Sequence, residues 1–350
     1  DGSRFTVFYN DPSDSGSIAS GEISSIVEDP FGNIWVTSGM LNRFDRMTER
    51  FTRFGHDPSD STSIAGYNIV KLCVSTVRGD TALWIGMADA GLDKLDLTSR
   101  FDPKSMRFRH FLADPSNPHS LSNSSVSGLL LDHRGVLWVS TQFGLNATDL
   151  TSGTGALSFS HYGVDPHHAD GLTDGASVLF ESKDGSLWVG ASTGIYRLSA
   201  DRIGRFQLFR HNHKFLVFWQ NLIRSILEDA LGRIWVAYLG GLATFDQKTS
   251  AYTWYAQKSA DGVPYSGVMT AYRDRGDHIW FGTAGYGLFQ FDERAKPFGF
   301  EPATEHRDAI PLVLAADLRG SRPPGSPGDA PQFGKPLLDA LALCVWTYPL

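Results

Sequence analysis

This sequence offers little to hold a fold by covalent or metal cross-links. Two cysteines, Cys73 and Cys344, occur in 350 residues, too few for a disulfide framework or a cysteine-based metal site. No apolar run reaches the ~20 residues that a helix needs to cross a bilayer. Basic residues are outnumbered, 31 Lys and Arg against 38 Asp and Glu, which excludes the positive footprint of a DNA- or RNA-binding surface. Long stretches with a 3.6-residue apolar period, required by helical repeats, are also missing. Phosphate-loop and Cys–His signatures do not occur. The chain starts Asp1-Gly2-Ser3 without a Met or a signal-peptide pattern, which reads as a processed start or a piece of something longer. What the sequence does have is 12% aromatics and 36 glycines, a composition suited to short strands joined by tight turns.

Those aromatics repeat. Trp35, Trp84, Trp138, Trp188, Trp235 and Trp280 recur every 45–54 residues, each preceded by Ile or Leu and followed by Val, Ile or Phe. The next residue is always small: Thr37, Gly86, Ser140, Gly190, Ala237 and Gly282. Each unit divides into four apolar stretches. A strand such as "ISSIVED" at 23–29 leads into a turn, which usually has Gly three residues before the Trp (Gly32, Gly135, Gly185, Gly232). The Trp strand follows, then a third strand such as "LNRFD", then an aromatic pair such as Phe51/Phe54, Phe108/Phe111, Phe206/Phe209 or Tyr252/Tyr255. Four short strands per unit of this length predict an all-β fold, a β-propeller of four-stranded antiparallel blades with six blades recognisable. The acids Asp29, Asp132, Asp229 and Asp274 before the Trp strands are expected to accept backbone N–H groups and start the turn.

A second phrase links the units: "NDPSDSGSIAS" at 10–20, "HDPSDSTSIAG" at 56–66 and "ADPSNPHSLSN" at 113–123, with a worn copy at 164–174. Asp-Pro opens a turn, and Ile18, Ile64, Leu121 and Leu172 are expected to anchor the far end in the core. The phrase is lost in the last two units. At the start, "RFTVF" at 4–8 reads as a fourth strand without its first three, and "PFGF" at 297–300 competes for the same slot in the sixth blade. The expected organisation is a propeller over 1–300 and a Pro/Gly-rich tail over 301–350, disordered or loosely docked.

The Trp phrase and the Asp-Pro-Ser phrase, in this order and several times over between residues 4 and 300, resemble the two-component regulator propeller repeat. That resemblance implies the extracytoplasmic, periplasmic sensor region of a bacterial hybrid histidine kinase. It implies a ligand such as a glycan fragment or another small molecule, and a homodimer as in sensor kinases. Membrane attachment would come only through parts missing from this chain. No kinase motif is present, so the resemblance supports a sensor propeller rather than a kinase.

Three functional classes stay open at this point. A glycan-active enzyme or streptogramin-lyase-like propeller would need histidines converging with acids. The densest groups, His167/His168 with Asp165 and Asp170, then His211/His213, fall in connecting loops, and solvated loop residues are the simpler reading. The near-Asp-box "SKDGSLW" at 182–188 reads as a structural turn. No catalytic residue, metal site or cofactor is assigned. A ligand-free interaction scaffold is the third class. Binding fits best, because propeller topology gathers the loops from strand two to three and from strand four to one on one face. The candidates there are Tyr67, Asn68, Asp89, Gln142, Phe143, Trp219, Gln220, Asn221, Tyr238, Tyr265 and Tyr286. Aromatics would stack on a ring and amides would bond its hydroxyls. Trp254, in a fourth strand, is expected to pack between blades.

Overall fold

The computed structural model describes residues 6–21, 23–99, 101–153, 157–163, 172, 175–201, 206–211, 221–255, 267–274, 276–283, 288–291 and 312–314. They form six four-stranded antiparallel sheets, each with its strands in sequence order, the blades of a β-propeller. The chain divides into two compact units. Residues 8–211 hold four blades. Blade 1 is β1 (Ser25–Glu28), β2 (Ile34–Ser38), β3 (Met40–Asp45) and β4 (Arg50–Phe54), and blade 2 is β5 (Ile69–Val77), β6 (Asp80–Met87), β7 (Gly91–Leu97) and β8 (Phe108–Phe111). Blade 3 is β9 (Val126–Leu131), β10 (Val136–Thr141), β11 (Gly144–Asp149) and β12 (Ser160–Gly163), and blade 4 is β13 (Val178–Glu181), β14 (Leu187–Ala191), β15 (Gly194–Leu198) and β16 (Gln207–Arg210). The other unit holds blade 5, β17 (Ile223–Glu228), β18 (Ile234–Tyr238), β19 (Gly241–Asp246) and β20 (Ala251–Tyr255), and blade 6, β21 (Val268–Arg273), β22 (Ile279–Thr283), β23 (Leu288–Phe291) and β24 (Leu312–Leu314).

The Trp strand is the second of each blade and is buried along nearly its whole length. A sheet stacked between neighbours has no solvent face, so alternation gives way to a continuous apolar run. All six tryptophans are at most 5% exposed. Each indole removes roughly 200 Å2 from water, on the order of 5 kcal/mol of gross transfer energy.

The acids before these strands do more than start a turn. Asp132 Oδ1 accepts the amides of Arg134 and Val136, and its Oδ2 accepts the Trp138 indole N–H at 2.9 Å. Asp29–Trp35 and Asp229–Trp235 repeat the arrangement at 2.9 Å, and Asp274–Trp280 at 3.0 Å. Burial pushes the Asp274 carboxyl up, but the Trp280 indole and the His278 and Gly276 amides outweigh that and hold it below the usual carboxylate range. Blade 4 substitutes the Ser182 hydroxyl as acceptor for Trp188, and blade 2, whose hairpin is longer, uses Ser75 for Trp84. A buried indole N–H needs a partner, and each of these blades supplies one locally. The glycines three before the Trp adopt φ between 79° and 82°, which L side chains rarely accept.

Adjacent blades are joined through their first strands. The Ser24 hydroxyl donates to the Ile69 carbonyl at 2.9 Å, and Ser127 to the Ala176 carbonyl at 2.6 Å. In the other unit Ser225 donates to the Ala271 carbonyl at 3.3 Å. These bonds satisfy edge carbonyls that no strand covers. The small residue two after the Trp permits close approach: a Cβ on Gly86 would stand 2.7 Å from Val126 Cγ1 of the next blade.

Two expectations about the ends differ from the structure. Residues 6–8 form no strand; instead the Phe8 ring lies against Phe44 and Phe51 of blade 1, at 5.0 and 5.5 Å. The fourth strand of blade 6 is Leu312–Leu314, paired with Phe289–Phe291, so the strand lies inside the stretch read as a tail. Residues 297–300 lie outside the described residues, as does the rest of 301–350. The outermost strand pairs with a single partner, and a short Leu-Val-Leu run is enough for that.

Candidate functional site

The loops that lead into blades 1, 2 and 3 share one construction. The Asp11, Asp57 and Asp114 carboxylates each accept the amide and hydroxyl of the serine two residues on. These serine bonds hold the three carboxyls below their usual range. The far ends are anchored by Ile18, Ile64 and Leu121, each at most 4% exposed; Leu172, from the worn copy, is fully buried.

Each loop is then latched onto its own blade by a pair from the third and fourth strands. Asn42, Asp93 and Asn146 accept the amides of Ala19, Ala65 and Ser122, at 3.1, 2.8 and 2.8 Å. Their cross-strand partners are Arg53, His110 and His161. Arg53 donates to the Ser17 carbonyl at 2.8 Å, and the Nε2 atoms of His110 and His161 meet the Ser61 and Ser120 carbonyls at 2.9 and 2.6 Å. In blades 4 and 5 the corresponding pairs are Tyr196/Leu208 and Ala243/Trp254, where the loop phrase is worn or gone. The residue types at the latch positions and the loop phrase change together.

Blade 2 has the titratable form of this latch. Asp93 is fully buried, and the His110 Nδ1 is 2.6 Å from its carboxylate. Both ring nitrogens face oxygens that only accept, so the ring carries two protons when latched. Burial alone would lower the His110 pKa, but the Asp93 hydrogen bond and charge outweigh it and raise the pKa above the usual value.

On the face these loops build, the structure brings three of the predicted residues together. The Tyr67 ring is 63% exposed and sits edge-on to His56 at 5.0 Å. Asn68 follows it, also exposed, and the exposed Asp89 carboxylate accepts the amides of both Tyr67 and Asn68 at 3.3 Å. Asp89 thus fixes the Tyr67–Asn68 backbone onto the turn between β6 and β7. In blade 3, Gln142 and Phe143 form the exposed turn between β10 and β11; the Gln142 amide donates to the Ser125 carbonyl at 3.1 Å, and Phe143 is 60% exposed.

In the other unit the prediction fails for Tyr238. Its side chain is fully buried and packs against the Trp254 ring, tilted, with centroids 5.0 Å apart. Burial and the neighbouring Tyr252 hold its phenol well above the usual range. Strand β18 runs through Tyr238, which pairs with Ile223, so the residue belongs to the core rather than to a mouth loop. Asn221 is half-buried, and its Oδ1 has no partner among the described residues. Trp219, Gln220, Tyr265, Tyr286, His167, His168 and His213 lie outside the described residues. His211 is half-buried, with Nε2 3.3 Å from the Ser192 carbonyl.

Sequence reasoning missed two features: the strand-three/strand-four latch, and a recess of about 590 Å3 between blades 2 and 3 at the opposite strand ends, lined by Arg78, Trp84, Lys94 and Thr148 among others.

Residues 17–39 and 120–143 match the two component regulator propeller family model; each match spans loop-anchor and strand residues described above. A curated relative, histidine kinase P4 of Formosa agariphila, is 26% identical over 222 residues, 61% of this chain and 15% of its own length. Among solved structures, the extracellular domain of a putative hybrid two component system from B. thetaiotaomicron superposes with TM-score 0.60 at 23% identity, over 83% of this chain and 36% of that one. Virginiamycin B lyase of Staphylococcus aureus superposes with TM-score 0.54 at 14% identity, over 78% and 82%. Both structural likenesses show the fold. The chain spans well under two thirds of the kinase and of the hybrid-system domain.

Proposed function

We propose that this chain, which matches the two component regulator propeller model over residues 17–39 and 120–143, is the ligand-binding sensor module of a bacterial two-component signalling protein, acting outside the cytoplasm and without catalysis of its own. The ligand class is a glycan fragment or a comparable small molecule. The observation that carries the binding reading is the blade 2–blade 3 loop face. Exposed Tyr67 and Phe143 stand there on backbones fixed by Asp89, Ser125 and the latched loops. Exposed aromatics on rigid supports lose little conformational freedom when a ring stacks on them. Neighbouring Asn68 and Gln142 supply the amides that would bond ring hydroxyls. The relation to a histidine kinase supports the signalling half of the proposal, with pairing of two copies as the means of passing the signal on. At 14% identity, nothing beyond the fold carries over from the lyase.

Thermal-shift screening of the chain with an oligosaccharide panel tests this. A stabilising ligand whose effect is lost in Tyr67→Ala and Phe143→Ala supports the face. A shift that survives both substitutions places the site elsewhere, and turnover of the ligand would overturn the non-catalytic reading.

A further inference from the structure

The recess between blades 2 and 3 differs in a telling way from the sister groove between blades 1 and 2. In that sister groove, the turn from β7 to β8 inserts Phe101. Its ring centroid lies 6.4 Å from both Trp35 and Phe54, and the Arg43 guanidinium sits 3.7 Å above it. Arg43 is the cross-strand partner of Trp35, and Lys94 is the partner of Trp84 in the same register. Blade 2 therefore presents the same set to blade 3: Trp84, with Phe111 at 6.2 Å and the Lys94 ammonium at 5.8 Å. Even the acid that steadies the cation recurs, Asp45 for Arg43 and Asp96 for Lys94.

The sequence of blade 3 has no aromatic at the matching place. The turn from β11 to β12 packs Leu150 and Leu157 against the core, in the manner of Leu97 and Met106 in blade 2. Where blade 2 reads Arg100-Phe101-Asp102, however, blade 3 reads Gly153-Thr154-Gly155. The recess reaches down to Trp84 and Lys94 at this place. A second departure from the repeat walls it. The hairpin from β5 to β6 is longer than its counterparts and carries Arg78 at its tip, with φ 55°. The Arg78 Nη1 donates across the groove to the Thr151 carbonyl at 2.8 Å. Its other guanidinium donors, and the hydroxyls of Thr148, Ser158 and Ser160 on the lining, have no partner among the described residues.

We propose that this groove is a binding site for a small molecule consisting of one six-membered ring that carries a carboxylate. The ring takes the place that Phe101 fills in the sister groove, against Trp84 and beneath Lys94. The carboxylate meets the free fork of Arg78, whose planar donors match it in two-point fashion. Ring hydroxyls meet Thr148, Ser158 and Ser160. The volume is that of a small-ligand pocket rather than of a macromolecular interface. An aromatic acid and a uronic sugar share this chemistry, and the experiment separates them.

The test is calorimetric titration of the full chain with 4-hydroxybenzoate and, separately, with galacturonate. At least one should bind saturably with Kd at or below about 1 mM. Arg78→Ala should weaken it by roughly tenfold or more, and Arg78→Lys by less, because charge remains but the fork is lost. Ser158→Trp, which supplies an indole plug at an exposed position, should abolish binding. Met47→Ala, at an exposed turn of blade 1 outside the recess, should change nothing, whereas loss of binding in Tyr67→Ala would put the probe on the loop face and overturn the proposal, so failure here and failure of the sensor-face reading are told apart. Binding of 4-hydroxybenzoate alone identifies a flat aromatic ring, and binding of galacturonate alone a saccharide. If neither probe binds at about 10 mM, or if binding ignores the Arg78 substitutions, the proposal is wrong. Should Ser158→Trp unfold its blade, the Arg78 pair decides.

Discussion

Replacing Asp132 by Ala removes the acceptor for three donors at once: the Arg134 and Val136 amides and the Trp138 indole N–H. The indole is 1% exposed and the acid 3%, so water cannot readily take over the indole bond. A buried donor left without a partner costs about 1–3 kcal/mol, and the two turn amides, closer to solvent, lose about 0.5–1.5 kcal/mol each. The terms sum to about 2–6 kcal/mol, about 4 at the centre. In a unit of the size of residues 8–211, each kcal/mol moves Tm by about 2–4 °C, so the loss should be roughly 8–16 °C. The structure contains its own partial rescue, because blade 4 satisfies Trp188 with the Ser182 hydroxyl at the equivalent position. Asp132→Ser should therefore recover about half of the loss. The assay is thermal unfolding followed by tryptophan fluorescence, with urea midpoints as a check. A loss below about 1 kcal/mol for Asp132→Ala, or a Ser variant no better than Ala, would refute the claim that these acids hold the tryptophans.

The blade 2 latch should depend on pH with a definite sign. His110 has a raised pKa in the fold, so its contribution is complete below about pH 6.5, the ordinary histidine value, and is lost as pH rises through the raised one. Stability of wild type relative to His110→Gln, measured by urea titration across that range, should fall with increasing pH; a rise or a flat difference contradicts the assignment of two ring protons. Gly86→Ala should destabilise by about 1–3 kcal/mol through overpacking against Val126 and Leu129, which denaturant midpoints would show. Ser75→Ala takes one bond from Trp84 and should cost less than Asp132→Ala, about 1 kcal/mol, in the same fluorescence assay.

The blades were legible because each carries its own Trp strand, and the physical demand on that strand is local: branched neighbours, a small residue, an acid and a left-handed glycine. The loop anchors Ile18, Ile64, Leu121 and Leu172 were legible for the same reason. The latch was not, because Asn42 with Arg53 and Asp93 with His110 meet only across strands whose register linear spacing does not reveal. Tyr238 was misplaced because the end of a strand and the start of a turn look alike in sequence, and one more paired residue turns a mouth aromatic into a core one. The strand at Leu312–Leu314 escaped because three apolar residues in a Pro/Gly-rich stretch carry no aromatic pair. The recess depends on two loops of different blades, each unusual only beside its sisters.

The central claim is that the repeated residues are scaffold and that the variable loop face of blades 2 and 3 recognises the ligand. Hydrogen–deuterium exchange of the chain, with and without a ligand found in the oligosaccharide screen, tests it most directly. The account predicts new protection confined to residues 65–69, 87–91 and 141–144, around Tyr67, Asp89 and Phe143. Protection spread over the Trp strands, or centred on another face with these loops unchanged, would contradict it.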